Sequence, residues 1–300
     1  MSSVSARIDT IALRAGRLAV DLVPAIGGSI AAFQLDGIDV MRRLSDADRS
    51  NGSVLGVASF PMIPFANRVG GNAFNFDGRR YEFEANNPPE IYHVHGTAWQ
   101  RAWTAKQTKQ SKALLTLEVA DPANYSYRAS QHFDLYEDAL ILRTSVTNAG
   151  TRPMPFGFGH HPWFNRDADT VIQFRSHSFH LTEPEYMVGE RIKLPDELSY
   201  DLPGPLPDRF RCSDYGGWDG NATISFPTRG VGLTMQADPI YKHLFLFADP
   251  SRAVFCIEPQ TNAACAFNRA GGFTDPEEGL IILVPGQTVA ANLRFEPFRI

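Results

Sequence analysis

The chain has only 3 cysteines in 300 residues, Cys212, Cys256 and Cys265, far apart and without a CxxC pair. That excludes a disulfide framework and a zinc knot, and fits a reducing, cytoplasmic setting. There is no run of 18 uncharged apolar residues, so no transmembrane helix is expected. The stretch from Met1 to Asp9 has no apolar core of the secretory kind. Gly-x-x-x-x-Gly-Lys-Ser/Thr and the dinucleotide fingerprint are both missing, so the Gly70-Gly71 pair is no phosphate loop. Excess positive charge is missing too: 28 Lys and Arg stand against 33 Asp and Glu, a net charge of −5. Nucleic acid and anionic membrane are therefore not expected partners. No repeat, low-complexity linker or long amphipathic helix appears, and Ser45 to Arg49 has room for one helical turn.

What is present is strand. The composition is 43% hydrophobic and 20% charged, and apolar residues alternate with polar ones over short stretches. Leu18, Val20 and Leu22 point one way. Phe74 and Phe76, then Asp77-Gly78, then Tyr81 and Phe83 read as a hairpin, because Asp-Gly supplies the positive φ that a two-residue turn needs. Leu115, Leu117 and Val119 continue the pattern, as do Phe133 and Leu135 with Leu140, Leu142, Thr144 and Val146 beyond a Glu137-Asp138 turn. Ile224 and Phe226 turn through Thr228-Arg229-Gly230 into Val231, Leu233 and Met235. Leu244 to Phe247, Val254 to Glu258, Leu280 to Val284 and Ala291 to Phe295 complete the set. Residues 183–220, with their prolines and glycines, read as long loops. Many short strands with Gly, Pro, Asn and Asp between them imply an all-β chain: one large antiparallel β-sandwich domain over residues 1–300, with a barrel left open.

Chemistry concentrates in four segments. Tyr92-His93-Val94-His95-Gly96 would put His93 and His95 on one face of a strand, with Gly96 allowing a close backbone approach. Gly157-Phe158-Gly159-His160-His161-Pro162-Trp163-Phe164-Asn165 packs a histidine pair among glycines and aromatics. Val254 to Asn262 is an apolar run that delivers one carboxylate, Glu258, before Pro259 ends regular pairing. Such a carboxylate is either paired with a base or held at a raised pKa. Asn67-Arg68 lies between a proline-stiffened stretch and Gly70-Gly71, where an arginine can clamp a hydroxyl-rich or anionic ligand or merely brace the next hairpin. Any one of these histidines is equally readable as a hydrogen-bonded core residue. His-x-His suggests a metal site of the cupin kind, but no Glu follows within Gly96 to Lys106, so a metal would need Glu258 or His161 to arrive from far along the chain.

Taken in order, Asn67-Arg68, His95-Gly96, His161-Pro162-Trp163-Phe164-Asn165, Glu258-Pro259-Gln260 and Pro285-Gly286 resemble the aldose 1-epimerase (galactose mutarotase) family, over roughly residues 18 to 296. Asn86-Asn87 ahead of the first histidine is similar as well. The resemblance implies a β-supersandwich and an isomerase that interconverts the α and β anomers of a free sugar without metal or organic cofactor. It implies Glu258 as general base, His161 as general acid, and His95, Arg68, Asn67, Gln260 and Asp214 as sugar-binding residues, Asp214 being the nearest match to a late aspartate of the family. The chain departs from the family where Thr97 follows Gly96 and Pro259 follows Glu258. A small-molecule sugar is the implied partner, for a monomer or homodimer. A mutarotase of phosphorylated hexoses is the neighbouring reading, and would need an arginine or lysine cluster, with Arg79, Arg80 and Arg101 as candidates. A sugar-binding protein without catalysis is another.

Overall fold

The computed structural model describes residues 9–300, apart from the side chain of Tyr186; the N-terminal reading therefore falls, up to Ile8, outside the described residues. Two large antiparallel sheets make up most of the molecule. The first runs, edge to edge, through Ile11–Ala15, Leu18–Val23, Ser29–Leu35, Ser59–Met62, Gly159–Asn165, Val254–Gln260, His243–Ala248, Arg211–Gly216, Ser178–Thr182 and Val188–Lys193. The second runs through Thr104–Lys109, Lys112–Val119, Tyr127–Leu135, Leu140–Asn148, Thr288–Arg299, Val231–Ala237, Asn221–Phe226, Val171–Phe174 and Tyr200–Pro205. Leu115, Phe133, Leu142, Leu233, Leu293 and Phe295 from the second sheet share one buried cluster with Phe33, Phe164, Leu244, Leu246, Phe255 and Ile257 from the first. Fully burying each such side chain is worth about 1.5–3 kcal/mol, and this shared interior is what holds the two sheets face to face.

The sheets differ in their outer faces. Tyr127–Leu135 alternates strictly between buried and less buried positions, as expected where one face meets the core and the other water. Ser59–Met62, Gly159–Asn165 and Val254–Gln260 are buried nearly throughout. Their outer face is covered, because residues 63–100 and 261–280 fold back over it: Thr261 N–H donates to Phe158 O, Ala98 N–H to Ile63 O, and the Asn262 amide both donates to Ala66 O and accepts from Ala66 N–H. The candidate residues sit beneath these loops.

Most strand expectations hold. The hairpin Ala73–Phe76 and Arg79–Glu82 turns at Asp77 and Gly78, both at positive φ. Asp46–Ser50 is the short helix, capped by the Ser45 hydroxyl accepting from Asp48 N–H. Residues 183–220 differ from expectation. They hold Val188–Lys193, Tyr200–Pro205 and Arg211–Gly216. The first two are sheet edges, where Pro203 and Pro205 need no ladder partner on the outer side. Pro259 likewise does not end its strand. Pairing with His243–Ala248 continues through Leu244–Pro259 to His243–Gln260. The three cysteines are buried free thiols.

Candidate active site

Register assembles the site. Phe60 lies opposite His161. Gly159 lies opposite Gln260 and Trp163 opposite Cys256, which sets His161 level with Glu258 between them. Glu258 is opposite Phe245, and Phe245 opposite Asp214. Direct cross-strand neighbours share a face, so Phe60, His161, Glu258, Phe245 and Asp214 form one row on the covered face, with Trp163, Cys256, Phe247 and Cys212 as the next. The residues between them in sequence turn the other way. His160 is the clearest case: its Nε2 bonds Thr144 Oγ1 of the second sheet, in the core. Strand alternation thus separates the two adjacent histidines, sending His160 inward and His161 to the covered face.

A cavity of about 630 Å³ opens above these rows, lined among others by Phe60, Arg68, His95, His161, Trp163 and Glu258. At its floor, His161 Nε2 stands 3.2 Å from Glu258 Oε1. His161 is 8% exposed and Glu258 2%. Its ring is sandwiched between Phe60, with centroids 4.5 Å apart, and Trp163, 4.8 Å away. The contact has ion-pair spacing, but burial decides its charge state. Desolvation pushes Glu258 up to about 8, partly offset by Arg68 and reinforced by Asp214. Desolvation pushes His161 down to about 3, and the positive charge of Arg42 adds to that. The resting pair is a carboxylic acid beside a neutral imidazole, with one proton between them. Glu258 Oε2 is buried without a protein partner among the described residues.

His95 reaches the same cavity through unusual backbone. It and Asn67 both adopt left-handed φ, 59° and 63°, and the two residues bond reciprocally: His95 N–H donates to Asn67 O, and Asn67 N–H to the His95 ring at Nδ1. Since Nδ1 accepts, the neutral ring carries its proton on Nε2 and presents a donor. Burial keeps it neutral, holding its pKa well below the usual range, with His161 and Arg68 adding to the effect. Gly96 is also left-handed, and a Cβ there would run into Ile63 O and the Pro64 ring. The Asn86 amide fastens the segment, donating to Val94 O and Gly96 O and accepting from Val94 N–H. The left-handed turn at His95 breaks the expected strand, so His93 does not share its face. His93 instead bonds Glu84 O with Nδ1, away from the cavity.

Arg68 lines the cavity with its guanidinium held by Glu90, at 3.2 Å from Nε and 2.6 Å from Nη2. Asn67 lies at the wall, and its Oδ1 accepts from Arg68 N–H. Two expected binding residues lie outside the cavity lining. Asp214 is fully buried and lines no part of the cavity. Oδ1 faces His243 Nδ1 at 2.9 Å and Oδ2 accepts from Ala264 N–H at 2.7 Å, because the loop after Gln260 lies over it. Burial would raise its pKa, but His243 and His180 hold it down to about 2. Gln260 is likewise fully buried and outside the cavity lining. Arg79, Arg80 and Arg101 do not line it either. Glu90 and Arg42 do, and neither stands out in the sequence: Glu90 follows two prolines in an apparent loop, and Arg42 reads as half of a surface Arg42-Arg43 pair.

Among the described residues two groups have metal-ligand composition: His95, His161 and Glu258 at the cavity, and His180, Asp214 and His243 beneath the loop. In each group the ligand atoms lie within 4.8 Å of one another. The first brings together His161 and Glu258, as a metal reading required, yet leaves out His93.

A profile of the aldose 1-epimerase family matches residues 9–296. The uncharacterized protein YphB of Escherichia coli K12 is 33% identical over 276 residues, covering 89% of this chain and 91% of that protein. The crystal structure of an Escherichia coli K12 protein assigned provisionally as an aldose 1-epimerase superposes with a TM-score of 0.89 at 31% identity, covering 97% of this chain and 99% of that one. Galactose 1-epimerase from Lactobacillus acidophilus NCFM shares the fold, with a TM-score of 0.77 at 16% identity over 95% of this chain and 92% of its own.

Proposed function

This chain belongs to the aldose 1-epimerase family, and from that membership we propose that it interconverts the α and β anomers of an aldose by acid–base opening and closing of the ring. The observation that carries the reading is the 3.2 Å pairing of His161 Nε2 with Glu258 Oε1 at the floor of a sugar-sized cavity. A hemiacetal carbon bears two oxygens, the hydroxyl and the ring oxygen. Two groups this close meet both at once. Glu258 takes the proton from the anomeric hydroxyl, the C1–O1 bond becomes a carbonyl, and the electron pair of the C1–ring-oxygen bond leaves on the ring oxygen, which His161 protonates. Half a turn about C1–C2 exposes the other carbonyl face, and closure reverses each transfer.

The resting proton sits on Glu258, where the roles require it on His161. Both arrangements hold one proton, so the pair needs only an internal transfer across 3.2 Å. The polar hydroxyls of a bound sugar favour the charge-separated form, by returning to Glu258 the hydrogen bonds that burial removed. In this reading His95 Nε2–H and the Arg68 guanidinium hold hydroxyls against the pair. A protein that only binds sugar has no use for a matched acid and base.

Anomer-resolved NMR exchange on a panel of free and phosphorylated aldoses tests the reading. Acceleration of exchange for at least one sugar is expected, unchanged after chelation with EDTA. No acceleration across the panel rejects it, and loss of activity with EDTA, restored by metal, would move the chemistry to a metal held by His95, His161 and Glu258. His95→Ala and Arg68→Ala should each raise KM and lower kcat, cutting kcat/KM by about tenfold or more, the scale of a lost hydrogen bond to a polar ligand. Wild-type kinetics in both variants would remove these residues from the site.

A further inference from the structure

Arg42 is the lining arginine of the cavity with no carboxylate in ion-pair range among the described residues. Arg68 is paired with Glu90 at 2.6 Å and Arg252 with Asp249 at 3.5 Å. Arg42 instead gives Nε and Nη2 to backbone: Val57 O accepts from both, at 3.2 and 2.6 Å, and Leu55 O accepts from Nη2 at 2.5 Å. Its guanidinium carbon stands 4.5 Å from the Trp163 ring centre. Carbonyls and an indole fix the orientation of the fork but bring no negative charge, and Nη1 takes no hydrogen bond from the described residues. Half-burying such a cation costs free energy, and desolvation accordingly lowers its pKa. Asp48, which makes no ion pair with it among the described residues, offsets part of that cost, and the acidic groups of the wall are engaged elsewhere. Glu90 is taken by Arg68, Glu185 accepts from the Tyr92 hydroxyl, and Glu258 is protonated by burial. Arg252 stands over Phe247, 5.3 Å from its ring centre. Phe247 and Trp163 both lie opposite Cys256, so two arginines flank one row of the sheet.

That row adjoins the catalytic one. Trp163 stacks on His161 with ring centres 4.8 Å apart, and Arg42 lies over the same indole. An aldose seated with its anomeric carbon on His161 and Glu258 has this guanidinium, which makes no ion pair among the described residues, in the lining of the same cavity, one aromatic ring away from His161.

We propose that the Arg42–Trp163 end of the cavity is an anion subsite, which takes a carboxylate or phosphate carried by the aldose on the side away from its anomeric carbon. The identity of the ligand as an aldose rests on the mutarotase reading; the anion site does not. With Nε and Nη2 given to backbone, Nη1 is the nitrogen left to meet an oxygen of either group, in a charge-assisted hydrogen bond.

The test measures exchange by NMR on glucose, glucuronate and glucose 6-phosphate, together with calorimetric binding of glucuronate and inorganic phosphate, in wild type, Arg42→Gln and Arg42→Lys. Wild-type kcat/KM should be at least about tenfold higher for one anionic sugar than for glucose, the effect of one charge-assisted contact, with the advantage shrinking as salt is raised. Which of the two sugars gains it distinguishes carboxylate from phosphate. Arg42→Gln should bring the ratio towards one and weaken anion binding, and Arg42→Lys should fall between. Glucose turned over as well as or better than both anionic sugars by wild type overturns the subsite and leaves the mutarotase reading standing. Arg42-dependent anion binding without exchange of any sugar overturns the mutarotase reading and keeps the subsite. Neither exchange nor anion binding overturns both. The wild-type ratio and its salt dependence decide the matter even if the variants fold poorly.

Discussion

Replacing Glu258 with glutamine is expected to slow anomer exchange by about 10²–10⁴-fold, the contribution of one positioned proton-transfer group, without weakening the fold. The two halves of that result come from the same burial. The amide keeps the shape and the place beside His161 Nε2 but has no proton affinity to take up the anomeric proton, so kcat falls. The stability argument turns on the sign of the pKa shift. Burial raises Glu258 from 4.5 to about 8. Between those values the unfolded chain has released the proton while the folded chain still holds it, so wild-type stability falls as pH rises through the window. Glutamine has no such proton, and the contribution of this site to the slope vanishes. Thermal melts at pH 5 and pH 8 should show the variant losing less stability than wild type on going to the higher pH. A wild-type exchange rate in Glu258→Gln would remove Glu258 as the base, whatever the melts show.

How far the sequence discloses this site depends on which physical scale sets each feature. Alternation is local, and so the hairpins at Asp77-Gly78 and Thr228-Arg229-Gly230 are legible. The same alternation, once Gly159–Asn165 is known as a strand between two others, separates His160 from His161. Pattern alone does not choose between them; the resemblance does, through the Trp163-Phe164-Asn165 that follows. The strands within residues 183–220 are hidden because sheet edges tolerate the prolines that otherwise mark loops. Asp214 and Gln260 share the covered face with Glu258, but the loop 261–280 lies over them, and that loop is fixed by contacts from distant segments such as Ala66 and Phe158. The split between His93 and His95 rests on one left-handed residue, His95 itself, and a non-glycine residue adopts that conformation too seldom for the sequence to announce it. Arg42 is invisible for another reason: having no ion-pair partner among the described residues is a matter of three-dimensional surroundings, and in sequence it has an ordinary arginine beside it.

Replacing His161 with asparagine is expected to cost exchange a similar factor, about 10²–10⁴-fold, and to change the pH profile in a way a merely structural loss does not. In wild type the pair must hold one proton, counted over both groups. Below about 3 it gains a second and no base remains; above about 8 it has none and no acid remains. Wild-type kcat/KM should therefore be level between these limits and fall on the alkaline side. In His161→Asn the acid is gone and water must protonate the ring oxygen. Glu258 then contributes only as a base, which requires it to be ionised, so the residual rate should climb as pH rises through the titration of Glu258. The sign of the alkaline limb reverses. His160→Asn gives the contrast: it breaks the core bond to Thr144 Oγ1, so it should lower the melting temperature and leave the shape of the pH profile alone. An alkaline limb that falls in His161→Asn as it does in wild type would mean that the proton lost near pH 8 does not belong to this pair. Full exchange in His161→Asn with loss of exchange in a folded His160→Asn would transfer the acid to the other histidine, against the direction in which the strand points it.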